Sequence, residues 1–207
     1  LVGKSVAVTD QASPIRNFFA IQLAKLGIDP DKQVNWLQYP ADLFGEALRK
    51  GEVQALATDD PHGWLLKKQH QLVEVDNNLN GEYANLTCCV LGLRGSLVRD
   101  NPAVAQAITQ AIVDAQQWTA QHPAETAKIF APYVPESVPV DDLTAMLSEH
   151  THGHHSTGAQ LRKEVALYVN ELKTINVIRP ETDADRFADH YVPELLPAGE
   201  QHQHHAA

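Results

Sequence analysis

Ser5-Val6-Ala7-Val8-Thr9-Asp10-Gln11-Ala12-Ser13-Pro14 decides the fold. Residues 5–9 form a short apolar run with the length and β-branching of a buried strand. A polar turn follows, in which Ser13 is a natural helix cap and Pro14 suits the first helical position. Ile15, Phe18, Phe19, Leu23 and Leu26 then recur at helical spacing until Gly27 stops the helix. Buried strand, polar turn and capped amphipathic helix, in that order, open a βα unit.

The alternation continues downstream. Residues 33–37 read as a second strand, and Leu43, Ala47 and Leu48 mark one face of a helix that Gly51 ends. Residues 53–57 return to strand. The turn Asp59-Asp60-Pro61-His62-Gly63 leads into a short helix through Lys68, and Leu72-Val73-Glu74-Val75 reads as a fourth strand. The order predicts an α/β fold with a small, mostly parallel sheet, right-handed crossovers and helices on both faces.

After Asn77-Asn78-Leu79-Asn80-Gly81 the pattern changes. Residues 85–93 form an extended apolar run, which 94–98 could prolong after a bend. A long helix opens at Pro102 with Val104, Ala107, Ile108, Ala111, Ile112 and Ala115 on its expected inward face and Trp118 near its end. His122-Pro123-Ala124-Glu125 starts another helix, and 141–148 a third. Thr157 reads as the cap of a fourth, with Leu161, Val165, Tyr168 or Val169, and Leu172 as its stripe. Thr182 and Asp185 resemble a capping box before a last amphipathic segment carrying Phe187, Ala188, Tyr191 and Leu195. The tail 197–207 reads as a flexible, His-rich extension. The imbalance is plain: an α/β domain is followed by one strand and a set of helices with no second sheet of their own.

Composition narrows the function classes. The chain has 207 residues, 43% hydrophobic and 20% charged, with 26 acidic against 16 basic residues and a formal charge of -10. A chain of this size buries roughly 70% of its extended surface, so a real core is expected. No apolar stretch reaches the roughly 18 residues needed to span a bilayer as a helix. The densest basic cluster is Lys67-Lys68, at a helix end where positive charge suits the dipole, so nucleic acid is not an expected partner. Cys88 and Cys89 are adjacent in the apolar run. Successive strand residues face opposite sides, so the expectation is two buried thiols rather than a mutual disulfide.

Three groups of residues could carry chemistry. Ligands of open α/β sheets bind beyond the carboxyl ends of the strands, which places Gln11, Ala12, Ser13 and Arg16 at a candidate anion or polar-head site. Asp59, Asp60 and His62 occupy the equivalent edge after the third strand; two adjacent carboxylates could receive a cationic or hydrogen-bonding part of a ligand, or Asp59 or Asp60 could simply cap a helix with Pro61 at its first position. Tyr83 and Asn85 precede the apolar run and are candidates by position alone. His150, His152, His154 and His155 place four imidazoles within six residues and could bind Zn, Cu or Ni, with Glu149 adding an oxygen. His-rich tracts are also common weak chelators, and no H-E-x-x-H pattern accompanies this one. No nucleophile elbow or phosphate loop is present, which points away from an enzyme.

The opening Leu1-Val2-Gly3-Lys4-Ser5-Val6-Ala7-Val8, then Gly27-Ile28-Asp29-Pro30, Ala47-Leu48-Arg49-Lys50-Gly51-Glu52-Val53-Gln54-Ala55, Asp60-Pro61, Arg99-Asp100-Asn101-Pro102 and His122-Pro123 follow one another in a familiar order. In order and spacing they resemble solute-binding proteins of the nitrate/sulfonate/taurine ABC-transporter class, related to thiamine-precursor-binding proteins. The resemblance implies a type II periplasmic-binding-protein fold, with one complete lobe and the helical C-terminal part of the other. Residues 1–84 would be the second lobe, and 85–196 a returning strand and helices completing the first. The N-terminal half-lobe would come from an upstream segment or a second chain.

The same resemblance implies a periplasmic or lipid-anchored protein that closes around a small polar or anionic solute and docks on a transporter permease. Residues 11–13 and 59–61 would contact the solute. Thr58 and Asp59 stand where the family often has an aromatic residue, which argues against an aliphatic sulfonate or nitrate. The residues leave two alternatives, a metal-binding or metal-delivery protein centred on the histidine cluster and a helical interaction module beside an α/β domain; the resemblance implies a third, a precursor-processing enzyme related to the thiamine branch.

Overall fold

The computed structural model describes residues 1–150 and 155–196. The fold is mixed α/β, with a small parallel sheet and several helices. The chain divides into two compact units, Leu1–Val75 with Tyr168–Thr182, and Asp76–Leu167 with the segment from Asp183 onward.

The first unit is built on β1 (Ser5–Val8), α1 (Pro14–Lys25), β2 (Asn35–Gln38), α2 (Phe44–Arg49), β3 (Ala55–Leu56) and α3 (His62–His70). The three strands are parallel in the order β2-β1-β3, with Ala7 opposite both Leu37 and Leu56. The signals read around α1 hold in detail. Ser13 Oγ accepts from the Arg16 amide at 3.0 Å, and Pro14 opens the helix. Gly27, at φ 78°, closes it with Ile28 N–H on the Leu23 carbonyl and Gly27 N–H on that of Ala24. On one side of the sheet Val6, Val8, Ala20, Ile21, Leu23, Val34 and Trp36 form a core that also takes in Ile175. On the other, Ala7 packs with Phe44, Ala47, Val53 and Leu66. Alternation along β1 thus feeds both faces. Lys25 Nζ bonds Glu171 Oε1 at 2.8 Å within the same unit.

Two expectations are corrected here. Leu43 is exposed, because it lies in a 3-10 turn (Ala41–Leu43), and the buried face of α2 begins at Phe44 instead. Residues 72–75 form no strand: Leu72 packs on the core, but Val73 and Val75 are exposed and Glu74 pairs with Lys67. The period-2 pattern was present, yet β3 is two residues long and offers almost no edge on which a fourth strand could bond.

The second unit carries α4 (Gly95–Asp100), α5 (Pro102–Gln121), α6 (Pro123–Phe130), α7 (Val140–Glu149), the first part of α8 (Gly158–Thr174) and α9 (Ala184–Tyr191). Pro102 and Pro123 open their helices as expected. Asp183, rather than Thr182, caps α9, its Oδ1 accepting from the Arg186 amide at 2.9 Å.

The differences concern the apolar run. Residues 86–94 join no ladder among the described residues, and 95–98 are helical rather than extended. Cys88 and Cys89 are exposed free thiols, not buried ones. The apolar stripe of α5 is outward: Ile108 and Ile112 are 37% and 41% exposed, Val104 and Trp118 similarly so, and Ala105 is the buried residue of that helix. Helical periodicity placed these residues on one face; within the described chain no sheet covers it. No helix among the described residues is long and apolar enough to cross a membrane.

Candidate functional site

The carboxyl ends of the three strands lie on one edge of the sheet. Tyr39 N–H bonds the Val8 carbonyl and Ala57 N–H bonds that of Ala7, each at 2.9 Å. The chain therefore leaves β1 at Thr9 between the ends of β2 and β3. With the order 2-1-3, the connections from β1 and to β3 run to opposite sides, which makes the β1/β3 edge the topological switch point where open parallel sheets bind ligands. Residues 9–13 and 58–61 border that point.

The loop 9–13 is internally organised. Asp10 Oδ1 accepts from the Ala12 amide at 2.7 Å, and its carbonyl accepts from the Ser13 amide at 3.1 Å. With Arg16 N–H on Ser13 Oγ, three of the donors an anion would use at this helix start already have partners. The Ser13 hydroxyl accepts that bond and keeps its own proton to donate.

Gln11 and Arg16 are drawn toward β2. Gln11 Nε2 donates to the Trp36 carbonyl at 2.8 Å. Arg16 is buried, at 8% exposure; its Nη2 pairs with Asp31, and its guanidinium lies 5.1 Å from the centre of the Trp36 ring. Trp36 is itself held by Nε1–H on the Pro30 carbonyl at 2.8 Å. The two residues read from sequence as solute contacts thus brace the crest loop against the 29–36 segment.

On the β3 side, Asp60 Oδ1 accepts from the Trp64 amide at 3.0 Å, and the Asp59 carbonyl accepts from Gly63 N–H at 2.8 Å. The Asp60–Pro61 bond is cis, and Pro61 sits at the cap position rather than the first helical one. A β-carbon on Gly63 would stand 3.2 Å from Asp60 Oδ1, so glycine lets that carboxylate lie against the first turn of α3. Asp60 caps the helix; Asp59 presents an exposed carboxylate, and His62 is half-buried beside it in sequence.

The remaining candidates belong to the second unit. Asn85 ends a 3-10 turn (Gly81–Asn85) of the second unit and is exposed. His150 follows α7, with its amide on the Met146 carbonyl at 2.7 Å, and His155 is exposed. His152 and His154, like the tail 197–207, lie outside the described residues. Among the described residues no three His, Cys, Asp or Glu side chains are grouped closely enough to hold a metal ion.

Sequence reasoning missed one arrangement. Glu164 is 2% exposed, and its Oε1 accepts from the Thr87 amide at 2.8 Å. Thr87 Oγ1 in turn accepts from the Ser156 amide at 2.9 Å. A glutamate inside a helix normally reads as a solvated face, and no local signal marks this one as buried.

Residues 3–134 match the family model described as NMT1-like. The chain belongs to the NMT1-like family. The matched segment holds all three strands, both crest loops, the cysteine pair and α5–α6, whereas α7, the histidine cluster and Glu164 lie beyond it. Membership of the NMT1-like family accords with a periplasmic-binding-protein-like fold and a solute-binding role. No curated protein and no solved structure matches the chain significantly.

Proposed function

We propose that this chain is the solute-binding component of an ABC importer and that it captures a small polar solute at the crest formed by residues 9–13 and 58–61. The observation that carries this reading is the shared carboxyl edge of β1 and β3 in a chain of the NMT1-like family. The Ser13 hydroxyl and the exposed Asp59 carboxylate supply directed hydrogen bonds on its two sides. Because Arg16 and the loop amides are engaged within the protein, the crest favours a solute that turns a donor or cationic group toward Asp59 over a simple anion.

Binding is non-covalent. Solute stabilises a closed state through differential affinity, and that state docks on the permease of a periplasmic or lipid-anchored system. The outward stripe Val104, Ile108, Ile112 and Trp118, and the segment 86–94, which joins no ladder among the described residues, support a further half-lobe, supplied by an upstream segment or another chain, that covers them. A thermal-shift screen of the intact protein against amines, amides, polyols and inorganic anions tests the reading. A solute of the first three classes should raise Tm, and Asp59→Asn should abolish the rise. No shift, or one indifferent to Asp59→Asn and Ser13→Asp, would refute it.

A further inference from the structure

Cys88 and Cys89 belong to the second unit and are not among the crest residues. In a regular strand their side chains would diverge to opposite faces. Here the segment joins no ladder among the described residues, and the two sulfurs converge to 3.7 Å on an exposed surface. The convergence is held from both sides. Asn78 Nδ2 donates to Cys88 Sγ at 3.1 Å. Thr87, the preceding residue, is fixed by the buried Glu164 through its amide and by Ser156 through its hydroxyl.

We propose that Cys88 and Cys89 form a dithiol site that chelates a trivalent, thiophilic metalloid centre of the arsenous-acid class. Two sulfurs on the same side suit a pyramidal centre, whereas a linear two-coordinate ion needs them on opposite sides. A structural zinc site would need more protein ligands, and no third metal-binding side chain is grouped with the pair among the described residues. Soft sulfur donors select soft acceptors.

The chemistry is a condensation. Each thiol forms one As–S bond and one As–OH bond breaks; the thiol proton leaves with the hydroxide as water, so two waters are released and arsenic stays trivalent. Neither an oxidant nor a reductant is consumed. The surrounding protein, and then the neighbouring Cys89, push the Cys88 thiol up to about 11. Cys88 is thus held as the thiol at neutral pH, which disfavours its simple alkylation, a reaction that needs thiolate.

The test uses the full chain, reduced with a phosphine and treated with phenylarsine oxide. Intact-mass spectrometry should show one phenylarsenic group per chain, bound with loss of one water because the oxide carries a single oxygen, removed by a dithiol competitor and persistent against a monothiol. Cys88→Ser and Cys89→Ser, each checked for native circular dichroism, should both lose the stable adduct. A stable adduct in either single-thiol variant would overturn the proposal. So would labelling that appears only after denaturation, which would place the pair in the interior. Neither outcome depends on whether Ser13 and Asp59 bind a solute.

Discussion

The amide of Ala57 donates to the carbonyl of Ala7 at 2.9 Å, and this bond closes the β1/β3 edge. One residue beyond Ala57 the chain enters the acidic turn, and two beyond Ala7 it enters the Ser13 loop. Two segments about fifty positions apart in sequence therefore emerge from neighbouring strand ends.

Ser13 has two separable roles. Ser13→Ala removes the cap on Arg16 N–H and should lower stability by about 1 kcal/mol. Ser13→Asp keeps a cap acceptor and should restore most of that loss in urea denaturation. It also removes the hydroxyl donor, so solute affinity measured by calorimetry should stay low.

Asp59 and Asp60 should behave differently although adjacent. Asp59→Asn touches no helix contact and should change stability by less than about 0.5 kcal/mol, while solute affinity falls tenfold or more. Asp60→Ala loses the acceptor for Trp64 N–H and should cost about 1 kcal/mol, visible as a lower denaturation midpoint.

Glu164→Leu leaves the Thr87 amide without its carboxylate partner in a buried setting and should cost about 1–3 kcal/mol. Glu164→Gln retains an acceptor oxygen and should cost less. The same order should appear in arsenical retention, because Thr87 positions Cys88.

The thiol pair gives a pH signature. Cys88 is raised from 9.0 to about 11, first because the protein around its sulfur displaces part of the water there and then by Cys89, with the Asn78 donor opposing. The unfolded chain surrenders this proton earlier, so the associated stability is intact below about pH 9 and disappears as pH climbs through about 11. Thiolate absorbance should show a midpoint near 11 for Cys88. In Cys89→Ser the midpoint should fall but remain above the ordinary value, since partial desolvation is the larger cause.

The outward face of α5 should tolerate charge within this chain. Ile108→Glu should shift its stability by no more than about 0.5 kcal/mol. In the presence of the half-lobe proposed to cover that face, the same substitution should abolish association by sedimentation.

What was legible in the sequence was local. Ser13-Pro14 and Gly27 fixed the ends of α1 because cap, proline and positive-φ glycine act within a few residues. Leu72–Val75 misled because a strand exists only with a partner, and that partner is not encoded in the run itself. Arg16 looked free for a ligand because Asp31 and Trp36, its actual partners, are set by the return of the chain to β2. The stripe on α5 was correctly seen as apolar, but periodicity names a face and not its cover. Glu164 was invisible because a helix spacing pattern treats a carboxylate as solvated.

The most direct measurement is native mass spectrometry of the intact protein purified from its own cells, wild type beside Asp59→Asn. A single small solute retained one-to-one by the wild type and absent from the variant is the expected result. Wild-type protein carrying nothing, or a solute held equally by both, would contradict a binding crest at the ends of β1 and β3.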